Sequence, residues 1–403
     1  MRTIQLALLA ALVAPRASAQ EDSAPDSAEV VAEVAPTGAA TDAALLGEVP
    51  GLIRGATDWI LENQNEDGSY GSHKTIRTYE LTASVPGTHR AYRVACTALC
   101  LIALEDGPIQ TDATRAAASR AVDYLLTKFD VKRPNGMEFF NTWSFAYTLH
   151  ALGEWLVDHP DDERAAAARV ACEKIVERAA IYQGLDGGYG YLDFNLKTRR
   201  HSMTGMSFTT ATMLMGFDRV RAAGIDVPQP MVDKALRHVT RQRGPTGSYA
   251  YHFSSRLKPA QGINVRKGAA CRNPQCEYTL GLFGVETSQE RRLESLDDLL
   301  VRHTGLQRIA SRRPIPHESW YQISGYFYLY GHAYAAYSLE QMPVDVQDRL
   351  WPAMVDALKV CHQPDGSFWD YPVYGYHKPY GTAFALMALA RVPPPKAASE
   401  GPR

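Results

Sequence analysis

The feature that most constrains this chain is a repeated pair of unlike helices. Between residues 51 and 391 an amphipathic segment ends in a glycine turn, an aromatic residue follows, and an almost wholly apolar segment comes next. The turns read Asn65-Glu66-Asp67-Gly68-Ser69-Tyr70, Asn135-Gly136-Met137, Asp186-Gly187-Gly188-Tyr189, Thr246-Gly247-Ser248-Tyr249 and Asp365-Gly366-Ser367-Phe368. A degenerate copy, His317-Glu318-Ser319-Trp320, has lost the glycine. Glycine supplies the left-handed or turn geometry needed on leaving a helix.

The apolar segments lie at 94–104, 143–153, 207–217, 276–285, 331–339 and 381–390. A helix apolar all round is buried all round, whereas partners such as 111–129 and 161–182 carry one apolar stripe. Six of each kind predict an inner ring of buried helices inside an outer ring. Aligning the inner segments brings Cys96, Ser144, Ser207, Cys276, Gly331 and Gly381 to one position, a small residue suited to close packing between neighbouring inner helices. Such repeats can also stack as an open solenoid. Neither terminal repeat has a polar cap, so the expected fold is all-α, an (α/α)6 toroid over 51–391.

The flanks read differently. Residues 1–19 have a short basic start, an apolar stretch over 4–14 and the small-residue pattern Ala17-Ser18-Ala19, which predict a signal peptide cleaved near Ala19 and an exported protein, periplasmic or extracellular. The apolar stretch is too short to span a bilayer, so no stable membrane span is expected. Residues 20–50 hold seven acids and no Lys or Arg, the composition of a disordered linker, and the Pro-rich 392–403 reads as a disordered tail. The whole chain has 42 Lys and Arg against 44 Asp and Glu. Removing the seven linker acids and the two signal arginines leaves 40 against 37, a near-neutral body that argues against nucleic-acid binding.

The repeat resembles that of squalene and oxidosqualene cyclases and protein-prenyltransferase β-subunits, over nearly all of 51–391. The resemblance implies the toroid with a central cavity and says less of activity, since sites are grafted on folds. A class II cyclase of that group needs an Asp-x-Asp-Asp acid; Asp161-Asp162 and Asp297-Asp298 both lack the first Asp. The zinc site of the prenyltransferases needs Asp-x-Cys in the fifth repeat, where this chain reads Trp320-Tyr321-Gln322-Ile323-Ser324, and only His377 matches the family histidine. No metal and no cofactor are therefore expected. Cys271 and Cys276, which flank a Pro-containing stretch, are a candidate disulfide in an oxidising compartment or else free thiols.

The rim of the ring carries the functional expectation. Three long connections, 72–93, 191–203 and 250–273, hold twelve Lys and Arg against only Glu80 and Asp193. In a toroid they emerge on one face, where the inner helices begin and their N–H groups favour anions. Arg93, Arg200, Arg272, His377, Lys378 and Tyr380 thus become candidate ligands for an anionic group, with Trp143 and Tyr328 set to contact an apolar remainder deeper in. Aromatics around a cavity suit a hydrophobic body or a sugar ring. Glu277, Glu318 and Asp370 are the acids placed near the mouth. Three readings follow: a cyclase-like toroid that binds a hydrophobic or anionic small molecule or glycan; a polysaccharide lyase or hydrolase; and a scaffold that holds a protein partner at its basic rim.

Overall fold

A computed structural model of the chain describes residues 39–74, 86–131, 141–190, 205–285, 288–308, 321–371 and 375–394. The expected signal peptide, the linker up to residue 38 and the tail from 395 lie outside these residues.

In chain order the first helices are α1 (Ala39–Glu62), α2 (Pro86–Asp106), α3 (Asp112–Lys128) and α4 (Asn141–Asp158). Next come α5 (Ala165–Tyr182), α6 (Ser207–Ala222), α7 (Gln229–Arg241) and the one-turn α8 (Arg266–Ala269). The last are α9 (Asn273–Leu282), α10 (Gln289–Asp297), α11 (Tyr328–Glu340), α12 (Val344–Lys359) and α13 (His377–Leu389). Among the described residues there is no strand, only isolated bridges.

The inner ring closes. Helix α2 packs on α4, α4 on α6, α6 on α9, α9 on α11, α11 on α13, and α13 returns to α2. These six are buried nearly along their length, as apolarity on every side requires: in α11 all twelve residues from Tyr328 to Leu339 are buried. The first five inner helices each rest on the outer helix that follows, and the sixth, α13, rests on α1, which precedes them all and also packs on α12. The first helix therefore seals the last repeat. Its start corrects the expected boundary at residue 51, because α1 begins at Ala39 and runs through Pro50. Leu45, Leu46 and Val49 pack on the core and Glu48 pairs with Lys359 of α12 at 2.6 Å, contacts that outweigh a linker-like composition.

The repeat turns share one construction. The Asp67 carboxylate accepts the amide of Ser69 at 3.1 Å and its hydroxyl at 2.5 Å, and Asp365 holds Ser367 in the same way at 3.2 and 2.6 Å. The aromatic that follows then tucks under the inner helix. Tyr70, Tyr189 and Phe368 donate their amides to the hydroxyls of Thr97, Thr210 and Thr382, and Tyr249 donates to Asn273 Oδ1, all at 2.9–3.0 Å. Glutamines staple repeat to repeat. Gln64 donates to the carbonyls of Gly68 and of Ala117 in α3, and Gln183 to those of Gly187 and of Met231 in α7. The recurring small residue has two uses. Ser207 lies beside Cys276 of the neighbouring inner helix, the close packing expected. At Gly331 and Gly381 the crowding partner is incoming backbone instead: an added Cβ would fall 2.6 Å from Cys271 Cα and 2.6 Å from the Phe368 carbonyl oxygen.

Candidate functional site

Aromatics from all sides of the inner ring meet where those helices begin. Trp143 of α4 stacks on Tyr147 (5.7 Å between ring centres) and approaches Phe208 of α6 at 6.0 Å and Tyr330 of α11 at 6.1 Å. Phe208 in turn touches Tyr251 at 5.5 Å and Phe327 at 4.8 Å. On the other side Tyr330 meets Phe384 of α13 at 5.8 Å, Phe384 meets Tyr380 at 6.0 Å, and Tyr380 meets His377 at 5.1 Å. Tyr92 of α2 stacks on Tyr376 at 4.7 Å. Tyr92, Trp143, Tyr251, Phe327 and Tyr380 are only half-buried, whereas Tyr330 and Phe384 below them are buried. The half-buried set is an aromatic mouth over a filled axis. Below it the Tyr330 hydroxyl pairs with that of Thr212 at 3.1 Å.

Two titratable groups border this mouth. Asp370 is 1% exposed, and its carboxylate accepts the amides of Leu329 (3.0 Å) and Tyr371 (2.8 Å), with the Tyr380 hydroxyl 3.5 Å away. Burial raises this acid to about 6 despite those N–H groups. His377 donates through Nδ1 to the Tyr371 carbonyl, and burial holds the imidazole below its ordinary value, in the neutral form at neutral pH. Such a pair can exchange protons with an oxygen-bearing ligand. Glu277 is not part of it. That carboxyl lies 3.0 Å from the Tyr249 hydroxyl and 3.4 Å from Arg243, tying α9 to the end of α7, and burial raises it. Glu318 lies outside the described residues.

The eight expected ligand residues separate. Trp143, His377 and Tyr380 are at the mouth. Tyr328 is not: its buried hydroxyl donates to the Ala357 carbonyl of α12 at 2.9 Å, so it points between the rings. Lys378 also turns outward, 2.6 Å from Asp365 and over the rings of Trp369 and Trp59. Arg93 is 3.7 Å from Asp67 in the first turn. Arg272 is no exposed rim cation; it is 4% exposed and donates to the carbonyls of Tyr249, Gly268 and Ile263. Arg200 lies outside the described residues. The rim is thus partly neutralised, since Arg266 too is paired, with Glu294 and Asp298.

The pattern of apolar segments did not single out Phe208, Tyr251 and Phe327. The available signal was position: Phe208 is the second residue of α6, and Tyr251 stands two residues after the turn aromatic Tyr249. Among the described residues no three His, Cys, Asp or Glu side chains are placed to hold a metal ion. Cys271 and Cys276 are free, buried thiols.

No protein-family model and no curated protein matches the chain. Solved structures do resemble it. A possible member of the GH105 family from Klebsiella pneumoniae is 14% identical, over 86% of this chain and 92% of that one, with a TM-score of 0.51. A second possible GH105 member, from Salmonella enterica, is 13% identical over 86% and 93%, with a TM-score of 0.49. The type II terpene cyclase MstE from Scytonema is 12% identical over 86% and 98%, at 0.35. At these identities the likeness is one of fold, the helical α/α toroid.

Proposed function

We propose that this chain is an exported toroid that binds a small molecule with an apolar or ring-shaped body in the aromatic mouth. One observation supports the reading: five half-buried aromatics, Tyr92, Trp143, Tyr251, Phe327 and Tyr380, belong to a network of ring contacts near the starts of the inner helices. Partly exposed aromatics gathered in one place suit a ligand, by apolar contact or by stacking on a sugar ring. The paired state of Arg93, Lys378 and Arg266 removes three cations from the anion-binding rim, which leaves the aromatics as the main source of affinity.

Titration of tryptophan fluorescence with farnesol and with cellobiose tests the proposal. Saturable quenching by either, lost in Trp143→Ala at unchanged helicity, is expected. The absence of saturable quenching by both, with no small molecule retained through native purification, overturns it.

A second reading, a hydrolase or lyase acting on a glycan, is favoured by Asp370, an enclosed acid next to Tyr380 at the same mouth. Release of reducing ends from a polysaccharide panel, abolished in Asp370→Asn, would select it over binding alone.

A further inference from the structure

Arg272 is a buried cation beside the mouth whose structural contacts do not use all of its donors. A guanidinium carries five N–H donors. Nε donates to the Tyr249 carbonyl at 2.9 Å, one terminal nitrogen to Gly268 at 2.6 Å and the other to Ile263. One donor on each terminal nitrogen is left. Among the described residues no carboxylate pairs with the group; the charges and dipoles that act on it come from Cys276, Tyr251 and Cys271. A buried cation without a counter-ion is costly, and the cost registers as a guanidinium pushed down to about 10 by burial. The positive charge is also felt next door, where it helps to depress His252.

This cation lines a small cleft, together with Phe208, Tyr251, Cys271, Ser324 and Phe327, whose enclosed volume is about 10 Å³. The enclosed part has room for about one water molecule. Tyr251 and Phe327 are half-buried, so the outer wall of the cavity is also the wall of the aromatic mouth. The Arg272 guanidinium lies 5.8 Å from the centre of the Tyr251 ring.

We infer that Arg272 is the seat of a ligand carboxylate, and that the ligand is a ring-bearing monocarboxylic acid whose ring lies against Tyr251 and Phe327 while its carboxylate enters the cavity. The inference rests on the proposed ligand-binding mouth and names the chemistry of its occupant. A single carboxylate matches the two remaining donors in number and supplies the counter-charge, with one of its oxygens in the enclosed one-water space and the rest in the open part of the cleft.

Calorimetric titration of the full chain at pH 7 with benzoate, benzyl alcohol and sodium chloride tests this. Benzoate should bind at least tenfold more tightly than benzyl alcohol, and chloride should not replace it. Arg272→Gln should bring the two aromatic ligands to equal affinity. Because that substitution also removes carbonyl contacts, Ser324→Val provides a second arm: it narrows the cleft without touching the guanidinium, at the loss of the Ser324 hydrogen bond to the Lys267 carbonyl, and should weaken benzoate while sparing benzyl alcohol. Equal binding of benzoate and benzyl alcohol to the unaltered chain overturns the inference and leaves the mouth standing. Binding of neither overturns the inference, and the farnesol and cellobiose titrations decide the mouth separately. Chloride protection equal to that of benzoate also overturns it, since the seat would then hold a bare ion.

Discussion

Gly366, in the last turn of the chain, rests directly on Gly55 of the first helix: a Cβ on Gly366 would lie 2.6 Å from the Gly55 carbonyl oxygen. The ring is closed at this point by backbone against backbone. The same contact recurs inside the ring, with Gly68 on Arg120 and Gly187 on Lys234, so closure reuses the joint between successive repeats. Gly366 also sits at φ +86°, where a side chain is strained whatever the space.

Gly366→Ala should therefore cost about 2–4 kcal/mol, combining left-handed strain with a clash that only backbone movement relieves. Gly224→Ala is the control, with φ +78° but nothing nearer than 3.9 Å, and should cost about 1 kcal/mol. Urea unfolding followed by circular dichroism measures both. Equal costs would show that the Gly55 contact contributes nothing.

The start of α1 leads to a truncation experiment. A chain beginning at residue 39 should melt at the temperature of the full chain. One beginning at residue 51 loses Leu45, Leu46, Val49 and the Glu48–Lys359 pair, and should melt several degrees lower by scanning calorimetry. Equal melting would return residues 39–50 to the linker.

The architecture was legible because a helix apolar all round has only one place to go, and six such segments alternate with six striped ones. Ring closure was legible from the missing polar caps. The site was read less well, and Lys378 and Tyr328 show why. Both stand at the start of an inner helix, where sequence position puts them near the mouth, but a helix has a full turn of directions. Lys378 faces Asp365 and Tyr328 faces Ala357, partners in neighbouring segments that no local spacing reveals. Arg272 differs in its surroundings: an arginine in a basic loop reads as a surface charge, and its burial follows from three carbonyls, two of them supplied by the loop's own fold. Trp143 and Tyr380 stand at inner-helix starts, where aromatics have few places other than the axis.

Tyr328→Phe separates those two roles. It removes a buried donor from the Ala357 carbonyl and should cost about 1–2 kcal/mol of stability. Affinity for any mouth ligand should be unchanged, as titration of the variant would check.

Asp370 should make the protein less stable as pH rises. Its native-state value, about 6, lies above the ordinary 3.8, so between these values the folded chain holds a proton that the unfolded chain has lost. The stability present below pH 3.8 is lost as pH rises through 6, by an amount on the order of 3 kcal/mol. Asp370→Asn does not titrate, so its stability relative to the unaltered chain should increase between pH 4 and 6.5. A difference in melting temperature that stays constant over that range would refute the assignment.

His332 should act with the opposite sign across nearly the same interval. It is 1% exposed on α11, donates through Nδ1 to the Tyr328 carbonyl at 2.8 Å, and is held by burial at about 4, below its ordinary 6.5. Here the unfolded chain takes up a proton that the folded chain refuses. The stability present above pH 6.5 is lost as pH falls through 4, again on the order of 3 kcal/mol. His332→Gln keeps an N–H donor and cannot titrate, so its melting temperature relative to the unaltered chain should rise on acidification from pH 6.5 to 4. Asp370→Asn should fall relative to the unaltered chain over the same acidification. The two difference curves, measured by scanning calorimetry in matched buffers, should therefore slope in opposite directions. Parallel curves would mean that at least one of these buried groups does not titrate as its surroundings require.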